Sequence, residues 1–142
     1  MIEALGGAEA VAAIPAIAPR EIDLLAGIRG AKSMFAAALA LRASQTVDVS
    51  GLSVGEIPRV SILSLDADKA SVVLDHLVGT IEARRPLRAL LLDEPKGDSV
   101  LVRHPSGRPI EIKVVSGARA GGSLVSRWSA GAIFDEAPRM VG

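Results

Sequence analysis

Lys32 and Ser33 are the residues whose types and spacing could do chemistry. They close the run Leu24-Leu25-Ala26-Gly27-Ile28-Arg29-Gly30-Ala31-Lys32-Ser33, which reads as an apolar strand entering a small-residue turn that opens a helix. Phosphate binding asks for that layout. Backbone N–H groups curl round phosphate oxygens, a Lys reaches the β/γ-phosphates, a hydroxyl serves Mg²⁺, and a helix N-terminus favours anions through its dipole. The match to G-x-x-x-x-G-K-[ST] is partial, because Ala26 and Ala31 stand where the pattern has glycine and Gly27 and Gly30 lie one residue away. A glycine-rich strand-to-helix turn with an incidental Lys accounts for the segment about equally well.

A phosphate loop needs an acidic partner at the end of a neighbouring strand, to hold Mg²⁺ and to polarise the attacking water. Two apolar runs end in Asp-Glu: Leu90-Leu91-Leu92-Asp93-Glu94-Pro95 and Ala132-Ile133-Phe134-Asp135-Glu136-Ala137. The first resembles the acidic strand of ABC-transporter ATPases. That family places a Leu-Ser-Gly-Gly-Gln-like signature shortly before it, and Ser71 to Arg88 holds nothing similar. Asp93 and Glu94 are therefore read as a solvated turn, and Asp135-Glu136 as the partner.

The elements that must position these residues follow from periodicity and punctuation. Ala8 to Ile17 reads as a short helix or arm closed by Pro15 and Pro19, and Glu21 to Ala26 as a short strand. Lys32 to Arg42 is a helix of strong formers, apolar on nearly every side and so expected to be buried. Gln45 to Arg59 is loop-like, punctuated by Gly51, Gly55 and Pro58, and could carry a mobile connection. Val60 to Leu65 is a strand, and Asp66 or Asp68 can cap a helix running to about Arg84 with Val72, Val73, Leu77, Val78 and Ile81 as its apolar stripe. Leu87 to Leu92 is a third apolar run, and Ser99–Arg103 and Ile110–Val115 form a hairpin about a His104 to Pro109 turn. Gly131 to Phe134 is a last short strand. The alternation predicts an α/β fold with a largely parallel sheet, helices on both faces and a β-hairpin insertion. Residues 1–20 form an arm or short helix, and 21–142 the domain.

Composition bounds the function. The chain has 142 residues, 49% hydrophobic, enough for one globular core. It has no cysteine, which excludes disulfide scaffolds and thiolate metal sites, and two histidines leave little for zinc. With zero net charge, nucleic-acid contact would rest on a local patch or on parts beyond this chain. The 2% aromatic content argues against base-stacking platforms. Met1 to Pro19 is interrupted by Glu3, Gly6-Gly7, Glu9 and Pro15, so neither a signal peptide nor a membrane span is expected. His76 reads as a helix residue, His104 as solvated and Trp128 as a packing residue. Arg84, Arg85 and Arg88 read as partners of a helix C-terminus. Arg119 and Arg127 bracket Gly121-Gly122 and are candidates for a contact with DNA or a neighbouring subunit.

Ala26-Gly27-Ile28-Arg29-Gly30-Ala31-Lys32-Ser33 resembles the short phosphate loop of phage large terminase subunits, which often reads Gly-Arg-Arg-Ser-Gly-Lys-Ser. The Val60–Leu65 strand with its helix, the Gly107 hairpin, the stretch with Arg119 and Gly122, and Ile133-Phe134-Asp135-Glu136-Ala137 follow the same family in order, from about Glu21 to Gly142. The resemblance implies a RecA/ASCE-like P-loop NTPase, part of the N-terminal ATPase of a motor that couples ATP hydrolysis to packaging of double-stranded DNA. ATP and Mg²⁺ would be its cofactors. Gly27, Arg29, Gly30, Ala31, Lys32 and Ser33 would hold the nucleotide, with Ser33 and Asp135 at the metal. Glu136 would activate water and Arg29 would act on the γ-phosphate. Two residues depart from the family: the usual position of that Arg corresponds to Ile28, and Ala31 replaces a Gly, which suggests that the left-handed turn has shifted onto Gly30. Implied partners are the portal protein, the small terminase subunit and further copies of the chain, with no membrane, in the cytoplasm of a bacterial host. The family's coupling strand and nuclease domain come after the part that this sequence spans. Another P-loop motor or helicase-like ATPase, or a nucleotide-binding or structural module without turnover, remains the alternative.

Overall fold

Residues 31–64, 66–116 and 127–134 are described in the computed structural model. Within them the chain is α/β, with three helices and a four-stranded mixed sheet. Helix α1 (Lys32–Thr46) leads through a loop to strand β1 (Arg59–Ser64), followed by α2 (Ala67–Ala83), the single turn α3 (Arg85–Arg88), β2 (Ser99–Arg103), β3 (Pro109–Ser116) and β4 (Ser129–Phe134). The spatial order is β2-β3-β1-β4. β1 pairs in parallel with β3 on one side and with β4 on the other, and β2 pairs antiparallel with β3.

β1 sits at the centre because its sequence tolerates burial on both faces, and all six of its residues are buried. Val60 and Ile62 face the helices and join Ile110, Ile112 and Val114 of β3 and Val100 and Val102 of β2 in one core. From above, α2 contributes Val73, Leu74, Leu77 and Ile81, a stripe at helical spacing. Val72, expected in that stripe, is exposed, because it falls one residue outside the arc that meets β1 and β3. α1 contributes the small residues Ala37, Ala40 and Ser44, so it is buried along one stripe only, with Met34 and Phe35 exposed. It also runs past Arg42 to Thr46, because Ser44 and Thr46 turn their hydroxyls back to the carbonyls of Leu41 and Arg42 (2.7 and 3.0 Å).

α1 and α2 touch each other and lie on the same face of the sheet, so helices on both faces are not found among the described residues. The other face carries Arg59, Glu111 and Lys113 together with buried Leu63 and Val115. Arg59 donates to the Glu111 carboxylate at 2.7 Å, and Lys113 meets Asp98 at 3.1 Å. The Lys113 ammonium, hydrogen-bonded to Asp98, holds that carboxyl below the usual aspartate range.

Leu87 to Leu92 is not a strand of the parallel sheet. Pro86 starts the α3 turn, and only Leu91 bridges Val102 at the outer edge of β2. Nor is the loop after α1 free: the Arg108 guanidinium donates to the carbonyls of Ser53 and Glu56 (both 2.9 Å) and Leu52 (3.1 Å). The expected hairpin is present, closed by Gly107 at φ 86°. The strand expected at Glu21–Ala26 and the arm 1–20 lie outside the described residues.

Leu77 is 1% exposed at the middle of the core. Leu77→Ala is expected to destabilise the chain by about 2–5 kcal/mol in urea unfolding with an unchanged m-value.

Candidate phosphate site

Two parallel pairings fix where the ends of the helices fall. A Cβ placed on Gly131, near the start of β4, would meet Ala43 Cβ at 3.5 Å and Val60 Cγ1 at 4.0 Å. Gln45, at the end of α1, donates to the carbonyl of Arg103 at 3.0 Å, beside the turn that feeds β3. The C-terminal end of α1 thus lies over the amino ends of the parallel strands. Its 15 residues run back about 22 Å, about the length of β1 and β4 beneath, so Lys32 and Ser33 lie toward their carboxyl edge. α2 also begins at this edge, directly after β1. Ligands of open α/β sheets bind in such crevices at the carboxyl ends of strands.

The two helix starts differ. Asp66 caps α2, accepting from the N–H of Asp68 at 3.0 Å, and Asp68 adds a second carboxylate. Anions are disfavoured there. α1 has no side-chain cap, and its first helical bond, Phe35 N–H to the Ala31 carbonyl at 3.0 Å, leaves the N–H groups of Lys32, Ser33 and Met34 outside the helical ladder. Half-buried Lys32 and Ser33 flank those donors with an ammonium and a hydroxyl.

Ala31 decides the local backbone. It stands at φ 55°, ψ 25°, left-handed, and is the one non-glycine residue with positive φ among the described residues. The expected shift of that turn onto Gly30 is thus corrected: residue 31 itself is left-handed, and it is exposed. A left-handed residue followed by a right-handed helix turns successive N–H groups to one side, a concavity that takes anions. Holding an alanine there costs about 1 kcal/mol.

Comparison with protein-family models, curated proteins and solved structures finds no match.

Of the residues expected at the site, Ala31, Lys32 and Ser33 are brought together at one helix start. Gly27, Arg29 and Gly30, and Asp135 and Glu136, lie outside the described residues. Asp135 is the next residue in sequence after Phe134, the last residue of β4. Among the described residues no group of three or more His, Cys, Asp or Glu could hold a metal ion. The donors present, amide N–H, ammonium and a single hydroxyl, fit a polyphosphate, whose own oxygens supply most ligands of an accompanying Mg²⁺.

Asp93 and Glu94 are exposed in a turn, and His76 is exposed on α2. His104 is tied into its turn by Ser106, at 2.8 Å from the hydroxyl. Arg88 donates to the carbonyl of Glu82 at 2.6 Å, serving the end of α2. Arg127 points to Glu111, 3.8 Å away, and Trp128 is part-exposed, giving its carbonyl to the Arg59 N–H. A groove of about 700 Å³ lies at the opposite edge of the sheet, between the Val47–Ile57 loop and the hairpin turn. Its strongest donor, Arg108, spends N–H groups of both terminal nitrogens on loop carbonyls. Among the described helices none is long and apolar enough to cross a membrane.

Ser64, at the end of β1, was not signalled by any motif. It is fully buried, and its hydroxyl has no hydrogen-bond partner. Such a group costs about 1–3 kcal/mol.

Ala31→Gly relieves the left-handed strain. It is expected to raise stability by about 1 kcal/mol in chemical unfolding while leaving α1 intact by circular dichroism, and a loss of stability would contradict the geometry assigned to residue 31.

Proposed function

We propose that this chain is the nucleotide-binding portion of a P-loop ATPase of the large-terminase kind, binding ATP with Mg²⁺ at the start of α1 and coupling its hydrolysis to movement of double-stranded DNA. The observation that carries the reading is Ala31: the backbone adopts a left-handed turn without glycine directly before Lys32-Ser33, at an uncapped helix start on the carboxyl edge of parallel strands. Strain of this kind persists where it is used.

In this reading the N–H groups of the first turn and the Lys32 ammonium neutralise the β/γ-phosphates, and the Ser33 hydroxyl ligates Mg²⁺ together with Asp135. The metal, when bound, adds charge neutralisation at the transferred phosphoryl group. Glu136 accepts the proton of the attacking water, and Arg29 balances charge on the γ-phosphate. Catalysis then comes from position and electrostatics rather than covalent chemistry. The portal protein, the small terminase subunit, self-assembly and a bacterial-host cytoplasm belong to the same proposal through the resemblance.

A second reading, nucleotide binding without turnover, is favoured by the Ala31 Cβ itself, which occupies space that a glycine would leave to the phosphate chain.

With MgATP in calorimetric titration, Lys32→Ala is expected to lose tenfold or more in affinity, and equal affinity of the two proteins would remove the phosphate-site assignment. Glu136→Gln is expected to bind as wild type with phosphate release lowered about a hundredfold or more. Wild-type binding without phosphate release would leave the second reading.

A further inference from the structure

Ser64 stands where a ligand-reading hydroxyl would be needed. On β1 it alternates with Val60 and Ile62, which face the helices, so its side chain points to the helix layer. α1 lies against β4 and β1 and α2 against β3 and β1, so the carboxyl end of β1 falls beneath the seam between them. Height fixes the level. From Val60, which together with Ala43 lies close to Gly131, four strand residues rise about 13 Å to Ser64. About nine residues of helix cover the same rise, which leads from Ala43 back to the first turn of α1. Ser64 is 0% exposed and its hydroxyl has no partner, on the central strand in register with Ser116 of β3.

We propose that the Ser64 hydroxyl reads the terminal phosphoryl group of a nucleoside triphosphate held at the start of α1, donating its hydrogen bond to an oxygen of that group. The assignment rests on the nucleotide reading above and deepens it. The first-turn N–H groups and Lys32 would serve diphosphate and triphosphate alike, whereas Ser64, rooted in the sheet below them, is satisfied only when the terminal phosphate is present. The donor remains unpaired in the empty protein, so its bond is gained wholly on binding.

The test titrates the full 142-residue chain with MgATP, MgADP and inorganic phosphate, for wild type, Ser64→Ala and Lys32→Ala, with melting of each protein without ligand. For Ser64→Ala the expected result is about a tenfold loss of MgATP affinity, unchanged MgADP affinity, and a melting temperature at or above wild type because a buried unpaired hydroxyl is gone. Inorganic phosphate binding that is equally sensitive to Ser64→Ala, with no MgATP preference in wild type, would overturn the triphosphate assignment. Ser64→Ala that binds MgATP as wild type while Lys32→Ala fails would overturn the role of Ser64 and leave the phosphate site standing. Equal losses for MgATP and MgADP with a lowered melting temperature would make Ser64 a structural residue. Wild-type binding by Lys32→Ala would remove the site itself, and the Ser64 assignment with it.

Discussion

Parallel pairing of β1 on both flanks is the constraint on which the rest depends. A parallel neighbour cannot be reached by a tight turn, so the chain must cross back over the sheet between β1 and β3 and again before β4. The α2 crossover follows directly, and α1 lies beside it against β1 and β4. Because β1, β3 and β4 run the same way, their carboxyl ends share one edge, and helices that return over the sheet present their N-termini there. Burial enforces this register. Val60 and Ile62 reach the helix side only in the observed pairing with Ile112 and Val114, and a slip by one residue would bring Arg59 and Ser61 into the core in their place.

Stability is yielded at two points, and both map to that shared edge. Ala31 takes a backbone conformation that suits glycine, and Ser64 keeps a buried hydroxyl without a partner. Among the other described polar groups, Asp66 caps α2, Glu111 meets Arg59 and Arg127, and Arg108 binds three loop carbonyls.

Local pattern made much of this legible. The α2 helix and its Asp66 cap, the hairpin around Gly107, and the strands at Arg59–Ser64 and Ser129–Phe134 follow from periodicity and turn residues, with bounds shifted by one or two positions. What escaped depends on residues far apart in sequence. Arg108 binds carbonyls more than fifty residues earlier, and no local feature of its turn announces it. The one-sided burial of α1 was hidden by its uniform alanine content, since alanine reads as apolar whichever way it faces. Leu87 to Leu92 had a strand's composition, but Pro86 starts a turn and only the edge of β2 was available for pairing. The helix start at Lys32 was legible from the small-residue turn before it. The left-handed state of Ala31 was not, because propensity points to glycine and the neighbouring Gly30 offered an easier solution. Ser64 carried no signal at all.

The anion site proposed at the start of α1 is built from its own backbone, and amide chemical shifts of the isotope-labelled chain, followed during titration with MgATP, report on it residue by residue. The N–H signals of Lys32, Ser33 and Met34 are expected to move first and furthest, that of Ser64 to follow, and those of the Val47–Ile57 loop at the opposite edge to stay in place. Saturating nucleotide that leaves the first-turn amides unmoved, or that shifts the Val47–Ile57 loop instead, would contradict it.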